Sequence, residues 1–202
     1  MEVIHMERRK FLESIGKCGI GAGLCSLLAL PSASQTQDTE TQLPGHSCKE
    51  RIEFAEGWLK NFMKVLDENV DEQTKRKIME ANGIACARNY LESTGRVIEP
   101  IPFEEWAAKV KEEGGSDAIQ IEGNIIYYQY LKNYQGLDAP ESFCLCPFVE
   151  TKPEGLSATY CHCSVGYIME LFERRFGRPV KVELLESVLR GNKRCKFKIE
   201  LA

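Results

Sequence analysis

Histidine is scarce in this chain, with three in 202 residues: His5, His46 and His162. So few imidazoles exclude a histidine-rich metal centre and argue against a Ser-His-Asp triad. An excess of positive charge is also missing, since 26 Lys and Arg stand against 30 Asp and Glu for a formal charge of -4. That balance excludes nucleic-acid binding driven by phosphate neutralisation. No internal repeat is present. With 43% hydrophobic residues, the composition is that of an ordinary globular chain and not of a collagen-like or disordered one. No apolar run reaches the roughly 20 residues that a membrane-spanning helix needs.

Cysteine, by contrast, is abundant, with nine in the chain. The first 34 residues differ from the rest and hold two of them, Cys18 and Cys25. Glu7-Arg8-Arg9-Lys10-Phe11-Leu12 precedes a glycine-rich, weakly apolar run of 13 residues over 18–30, and Pro31-Ser32-Ala33-Ser34 follows. A charged start, a short apolar run and a small-residue end are the parts of an export signal, and the paired arginines look like the twin-arginine type. Residues 1–34 therefore read as a leader that sends the chain across the cytoplasmic membrane, to a periplasmic, extracellular or membrane-anchored location. Any membrane contact would come through that leader if it is retained. Lys17 and Leu24 precede the two cysteines, which argues against a lipoprotein box. Gly19, Gly21 and Gly23 belong to the signal core, because no strand precedes them as a dinucleotide loop would require.

Residues 35–47 are rich in Gln, Thr and Ser and read as a linker. The chain after the leader, 35–202, carries -5, and its body, 48–202, is long enough for one buried core. Apolar residues at helical spacing predict a helix over 48–69. Asp71 opens a second, over 71–93, with Ile78, Ala81, Ala85 and Cys86 on its buried face. A short helix runs through Trp106 to 113. The period then changes. Strands are predicted at 118–121 and 124–131 around a Glu122-Gly123 turn, and again at 142–149. A helix over 164–176 stops at Gly177, and a final hairpin turns at Gly191-Asn192. Helices over 48–113 and sheet over 117–202 give an α+β fold, with an antiparallel sheet packed against helices.

The chemistry concentrates late in the chain. On a strand Cys144 and Cys146 share one face, able to bind a common metal or to pair elsewhere. Cys161-His162-Cys163 repeats that spacing just before a helix, whose N-terminus favours the thiolate. Cys161 and Cys163 are thus the leading reactive candidates, with His162 as base. In the final hairpin, a two-residue turn places Cys195 on the apolar face and Glu186 on the same face, opposite Phe197. There Glu186 acts as a site acid or anchor, or forms a salt bridge to Lys or Arg. Cys144, Cys146, Cys161, Cys163 and Cys195 form the candidate set for zinc or another thiophilic metal. Disulfides, redox thiols and plain packing stay open beside it. The Cys-x-Cys spacing is not that of a zinc ribbon, and seven body cysteines leave one outside any intrachain set of pairs.

Cys144-Leu145-Cys146-Pro147, the stretch from Tyr160 to Tyr167, the run from Phe176 to Gly191 and Cys195-Lys196-Phe197-Lys198-Ile199 together resemble a known group. They look like the L-2-amino-thiazoline-4-carboxylic acid hydrolase-like proteins, whose C-terminal half is similar to the 4-vinyl reductase domain. The resemblance implies a ligand-binding α+β fold related to vesicle-tethering subunits. It also implies either hydrolysis of a cyclic C–N bond or binding of a small molecule or metal. By motif position it carries over Cys144, Cys146, Cys161, Cys163 and Cys195. Ser187 stands where many 4-vinyl reductase domains have a further cysteine. Two functions follow as expectations: a thiolate-rich domain binding a metal or small ligand, and a hydrolase using Cys161 or Cys163, His162 and Glu186. A disulfide-stapled secreted domain is the third.

Overall fold

The computed structural model describes residues 47–112, 118–130, 133–134, 137–138, 146 and 155–202. The leader, nearly all of the linker, Cys144 and, apart from Cys146, the expected strand over 142–149 lie outside these. Cys146 itself is outside regular secondary structure.

Helix α1, Cys48–Asn69, starts at a capping box in which the Ser47 side chain accepts from the Glu50 N–H and Glu50 reaches back to the Ser47 N–H. Helix α2, Glu72–Thr94, is capped by Asp71 and ends on Gly95 in the left-handed region. Helix α3, Phe103–Glu112, adds a short amphipathic turn that buries Phe103 and Trp106. Strands β1, Ile119–Glu122, and β2, Ile125–Gln129, form a hairpin, followed by the short pair β3, Asn133–Tyr134, and β4, Leu137–Asp138. A 3-10 turn at Ala158–Cys161 leads into α4, His162–Phe176. Strand β5, Val180–Glu186, a second 3-10 turn at Val188–Arg190 and β6, Lys196–Leu201, complete the chain. The main sheet is antiparallel, in the order β1-β2-β6-β5.

The result is the α+β architecture the sequence predicts, built in layers. One sheet face presents Val180, Val182, Leu184, Phe197, Ile199, Ile126 and Tyr128, all buried. Helix α4 lies between the helices and the sheet. Most of its residues are buried, as a helix covered on opposite sides must be. Its Phe172 and Phe176 meet Trp106 edge-on, at ring separations of 6.2 and 5.4 Å, and Phe172 meets Tyr128 at 6.0 Å. Helices α2 and α4 cross at two glycines. A Cβ on Gly83 would run into the Cys163 carbonyl, and one on Gly166 into that of Glu80. Across this crossing Glu170, 6% exposed, accepts a bidentate pair from Arg88 at 3.0 Å and one bond from Arg174 at 2.7 Å. Burial pushes the Glu170 carboxyl up, but the two guanidiniums outweigh it and hold it below its ordinary value.

Four expectations need correction. The buried face of α2 is Met79, Gly83, Ala87 and Tyr90, whereas Ile78, Ala81 and Ala85 are exposed and Cys86 is half-buried. The reason is the glycine crossing: backbone contact, not apolar side chains, decides which face α2 turns inward. The first hairpin turns one residue later than predicted, at Gly123-Asn124 with Gly123 left-handed, because Glu122 pairs with Ile125. Helix α4 begins at His162, not Ser164. In the final hairpin the register is Val182 to Ile199 and Leu184 to Phe197, so Glu186 is not opposite Phe197, and the register shifts at Leu185. A single extra residue there turns Glu186 off the apolar face to lie opposite Lys196, with which it forms an ion pair at 2.8 Å. The two-residue turn is replaced by a loop in which the Ser187 N–H donates to Asn192 Oδ1 and the Asn192 N–H to the Ser187 carbonyl.

Candidate functional site

Helical geometry separates the residues that a strand reading would group. Successive side chains on a helix are about 100° apart, so Cys161 and Cys163 point about 200° apart instead of sharing a face. Cys163 turns toward α2, where its sulfur accepts from the Asn82 amide at 3.6 Å. Cys161 is buried at the end of the 3-10 turn. Cys146 donates its thiol to the Tyr160 hydroxyl at 3.5 Å. Cys195 is buried just before β6, and its carbonyl accepts from the Tyr130 N–H. No disulfide joins any two of the described cysteines Cys86, Cys146, Cys161, Cys163 and Cys195. Among the described residues no three His, Cys, Asp or Glu side chains come together in a way that could hold a metal ion. Cys144 lies outside those residues. The described donors alone do not fit a zinc centre, which takes four.

Helix α4 does not begin bare at the cysteines, because the 3-10 turn precedes it and the His162 N–H already donates to the Thr159 and Tyr160 carbonyls. Ser157 caps that turn through its side chain, accepting from the Thr159 N–H at 3.1 Å. Thr159 in turn donates to Asp67 at 2.7 Å, and Asp67 pairs with Lys75 at 3.3 Å, tying the turn to α1 and α2.

His162 points the third way, into a cleft of about 490 Å3. Arg76 and Glu80 reach this cleft from α2, His162 and Val165 from α4, Lys181 to Leu184 from β5, and Arg190 from the second 3-10 turn. Neither Cys161 nor Cys163 lines it, and Glu186 lies elsewhere, beside a smaller depression of about 300 Å3 near Tyr127 and Lys196. His162 is 6% exposed, and its Nε2 has no hydrogen-bond partner among the described residues. A buried imidazole nitrogen left this way costs free energy unless something else satisfies it. Burial, reinforced by the positive charges of Arg76 and Arg190, holds the imidazole below its ordinary value; Glu72 opposes this weakly. Burial raises the Glu80 carboxyl, against the opposing pull of Arg76 and Lys77. Arg76 is held by Glu72 at 3.1 Å. Lys181 and Arg190 have no ion-pair partner among the described residues. The cleft thus combines three cations, two carboxyl groups, Glu80 and Glu183, of which Glu80 is displaced toward protonation, and an imidazole whose Nε2 has no hydrogen-bond partner among the described residues.

Arg76, Glu80, Lys181 and Arg190 carry no mark in the sequence. Arg76 and Glu80 are four apart on a polar helix and read as a solvated pair. Lys181 and Glu183 read as the outer positions of a strand, and Arg190 as a turn residue.

The structure defines an α+β domain with an open, cation-lined cleft beside a buried histidine. By sequence the chain belongs to the family of unknown function DUF6144, which matches residues 28–202. No curated protein matches it. Among solved structures, a vinyl-4-reductase family protein from Methanocaldococcus jannaschii is 14% identical over 80% of this chain and 85% of that one, with a TM-score of 0.28. A likeness of that size carries no argument about this chain's activity.

Proposed function

We propose that the protein binds a small organic anion, with the anionic group held in the His162 cleft. The observation that carries this reading is the buried His162, whose Nε2 has no hydrogen-bond partner among the described residues, on the wall of a cleft that Arg76, Lys181 and Arg190 also line. An anion in the cleft would satisfy the imidazole once protonated and the two cations that lack ion-pair partners among the described residues, through charge-assisted bonds. The neutral walls Val165, Val182 and Leu184 suit a compact apolar body attached to it. Cyclic thiazoline carboxylates, the substrates of the hydrolases that the sequence resembles, have this chemistry. The leader's Arg8-Arg9-Lys10 start supports export, which would place the cleft outside the cytoplasm.

One observation favours a second reading, hydrolysis of such a ring. A depressed imidazole and a raised carboxyl share the cleft, the arrangement that general base and general acid catalysis uses. In it water bonds to the ring's amidine carbon as His162 takes its proton, and the bond from that carbon to the ring nitrogen breaks as a protonated Glu80 gives its proton to the nitrogen. The thiols act only as packing, in place of the nucleophilic role that their spacing suggests.

Calorimetric titration of the full chain with 2-amino-thiazoline-4-carboxylate tests the binding reading. Binding that weakens about tenfold in Arg190→Ala, the loss of one charged contact, supports it. Binding unaffected by both Arg190→Ala and His162→Gln would place the ligand elsewhere. Ring opening by the wild type that survives Glu80→Gln would remove the hydrolytic scheme.

A further inference from the structure

Helix α1 packs on the fold through only part of its surface. It buries Met63 and Leu66, yet it leaves Phe54 at 74%, Trp58 at 58%, Phe62 at 40% and Val65 at 56% exposure. These four residues fall within about 80° of one another around the helix axis, on a stripe away from the buried face. Trp58 and Phe62 are already stacked, with ring centroids 5.3 Å apart and planes 3° from parallel. Gly57 beside them would meet nothing within 4 Å if it carried a side chain. A contiguous exposed aromatic stripe on a folded domain marks an interaction surface.

We infer that this stripe is the contact of a homodimer in which α1 pairs with a second copy of itself, antiparallel, with Trp58 on the two-fold axis. The argument is self-complementarity, which an isologous interface requires. Phe54 and Phe62 lie four residues to either side of Trp58, so the aromatic pattern reads the same in both directions. Reversing one helix about Trp58 sets Phe54 against the partner helix's second phenylalanine and Trp58 against its counterpart. The charges complement each other in the same register. Arg51 lies on the stripe seven residues before Trp58, exposed and without an ion pair among the described residues. The antiparallel arrangement carries it to the last turn of the other α1, which has no basic residue and ends on Asp67-Glu68-Asn69. Glu68 is held there only by an exposed lysine at 3.9 Å. Arg51 thereby also meets the negative end of the second helix's dipole, and symmetry makes this contact twice.

A lipid surface suits the stripe less well. The polar faces of α1 hold four basic residues against five acidic ones, and the whole chain is acidic, so nothing draws this helix to anionic headgroups. A second copy needs no such attraction.

Sedimentation velocity of the full chain tests the pairing. The wild type is expected to be dimeric at concentrations of order 10 µM, and Trp58→Glu to weaken association by about 30-fold or more, as loss of a central aromatic anchor does. Far-UV circular dichroism should stay unchanged, because Trp58 faces solvent in the monomer. Arg51→Glu should weaken the dimer, and Arg51→Glu combined with Glu68→Arg should restore it, a rescue specific to the antiparallel register. A wild type that remains monomeric, a dimer indifferent to Trp58→Glu, or a monomer that binds phosphatidylcholine vesicles through Trp58 would each overturn the inference.

Discussion

Replacing Gly166 by alanine tests the arrangement on which the cleft depends. The added Cβ would fall within 3.0 Å of three backbone atoms of Glu80, closer than real Cβ atoms approach. Because all three atoms are backbone, no side chain can rotate away, and α2 must move off α4. Overpacking of this kind costs about 1–3 kcal/mol, and here the upper end applies. Alanine returns about 1 kcal/mol through its better helix propensity. The net loss is about 2 kcal/mol, or roughly 4–8 °C in melting temperature for a chain of this size. Gly57→Ala is the matched control. It is also a helical glycine, but with open space around it, so it should gain about 0.5–1 kcal/mol. Urea and thermal unfolding of the two variants beside the wild type measure both signs. A Gly166→Ala protein as stable as the wild type, or more so, would refute the close crossing and with it the placement of Arg76 and Glu80 beside His162.

Two further predictions concern buried charge. Arg88→Ala removes the bidentate partner of Glu170 but leaves Arg174 in place. With Arg88 itself 56% exposed, solvent screens its share, and a small loss of stability, well short of that for removing both arginines, is expected by urea unfolding. The second follows from His162. Its folded value lies below the ordinary 6.5, so just below that pH the unfolded chain binds more protons. The stability this group contributes is complete above pH 6.5 and is lost as pH falls through the depressed folded value. Glu80 acts in the opposite sense: its carboxyl is raised from 4.5, so its contribution is present below 4.5 and is lost as pH rises through the folded value. A slope of stability against pH that begins near 6.5 and flattens in His162→Gln is the expected signature.

The main helices, the strands of the four-stranded sheet and the α+β class were legible because each rests on a local signal. Asp71 at a helix start and Gly177 at a helix end show the point. What was not legible depends on backbone approach. Gly83 and Gly166 are 83 positions apart, and only their meeting turns Cys86 partly outward and brings Arg76 and Glu80 over His162. The bulge at Leu185 had no sequence mark either, and it moved Glu186 from an expected site to an ion pair with Lys196. For the described thiols, local geometry matters as much as spacing. Cys161-His162-Cys163 reads as a chelating pair on a strand, whereas across the end of the 3-10 turn and the start of α4 Cys161 and Cys163 turn apart and, of the three, His162 lines the cleft.

The central claim, an anion held at His162, is tested most directly by the imidazole itself. With three histidines in the chain and His162→Gln to assign the signal, nitrogen-15 spectra of the ring can follow its titration with and without 2-amino-thiazoline-4-carboxylate. The account predicts that His162 titrates below 6.5 in the free protein and that the carboxylate raises its value, because the bound anion stabilises the protonated ring. A His162 that titrates at or above 6.5 and does not respond to the carboxylate would contradict it.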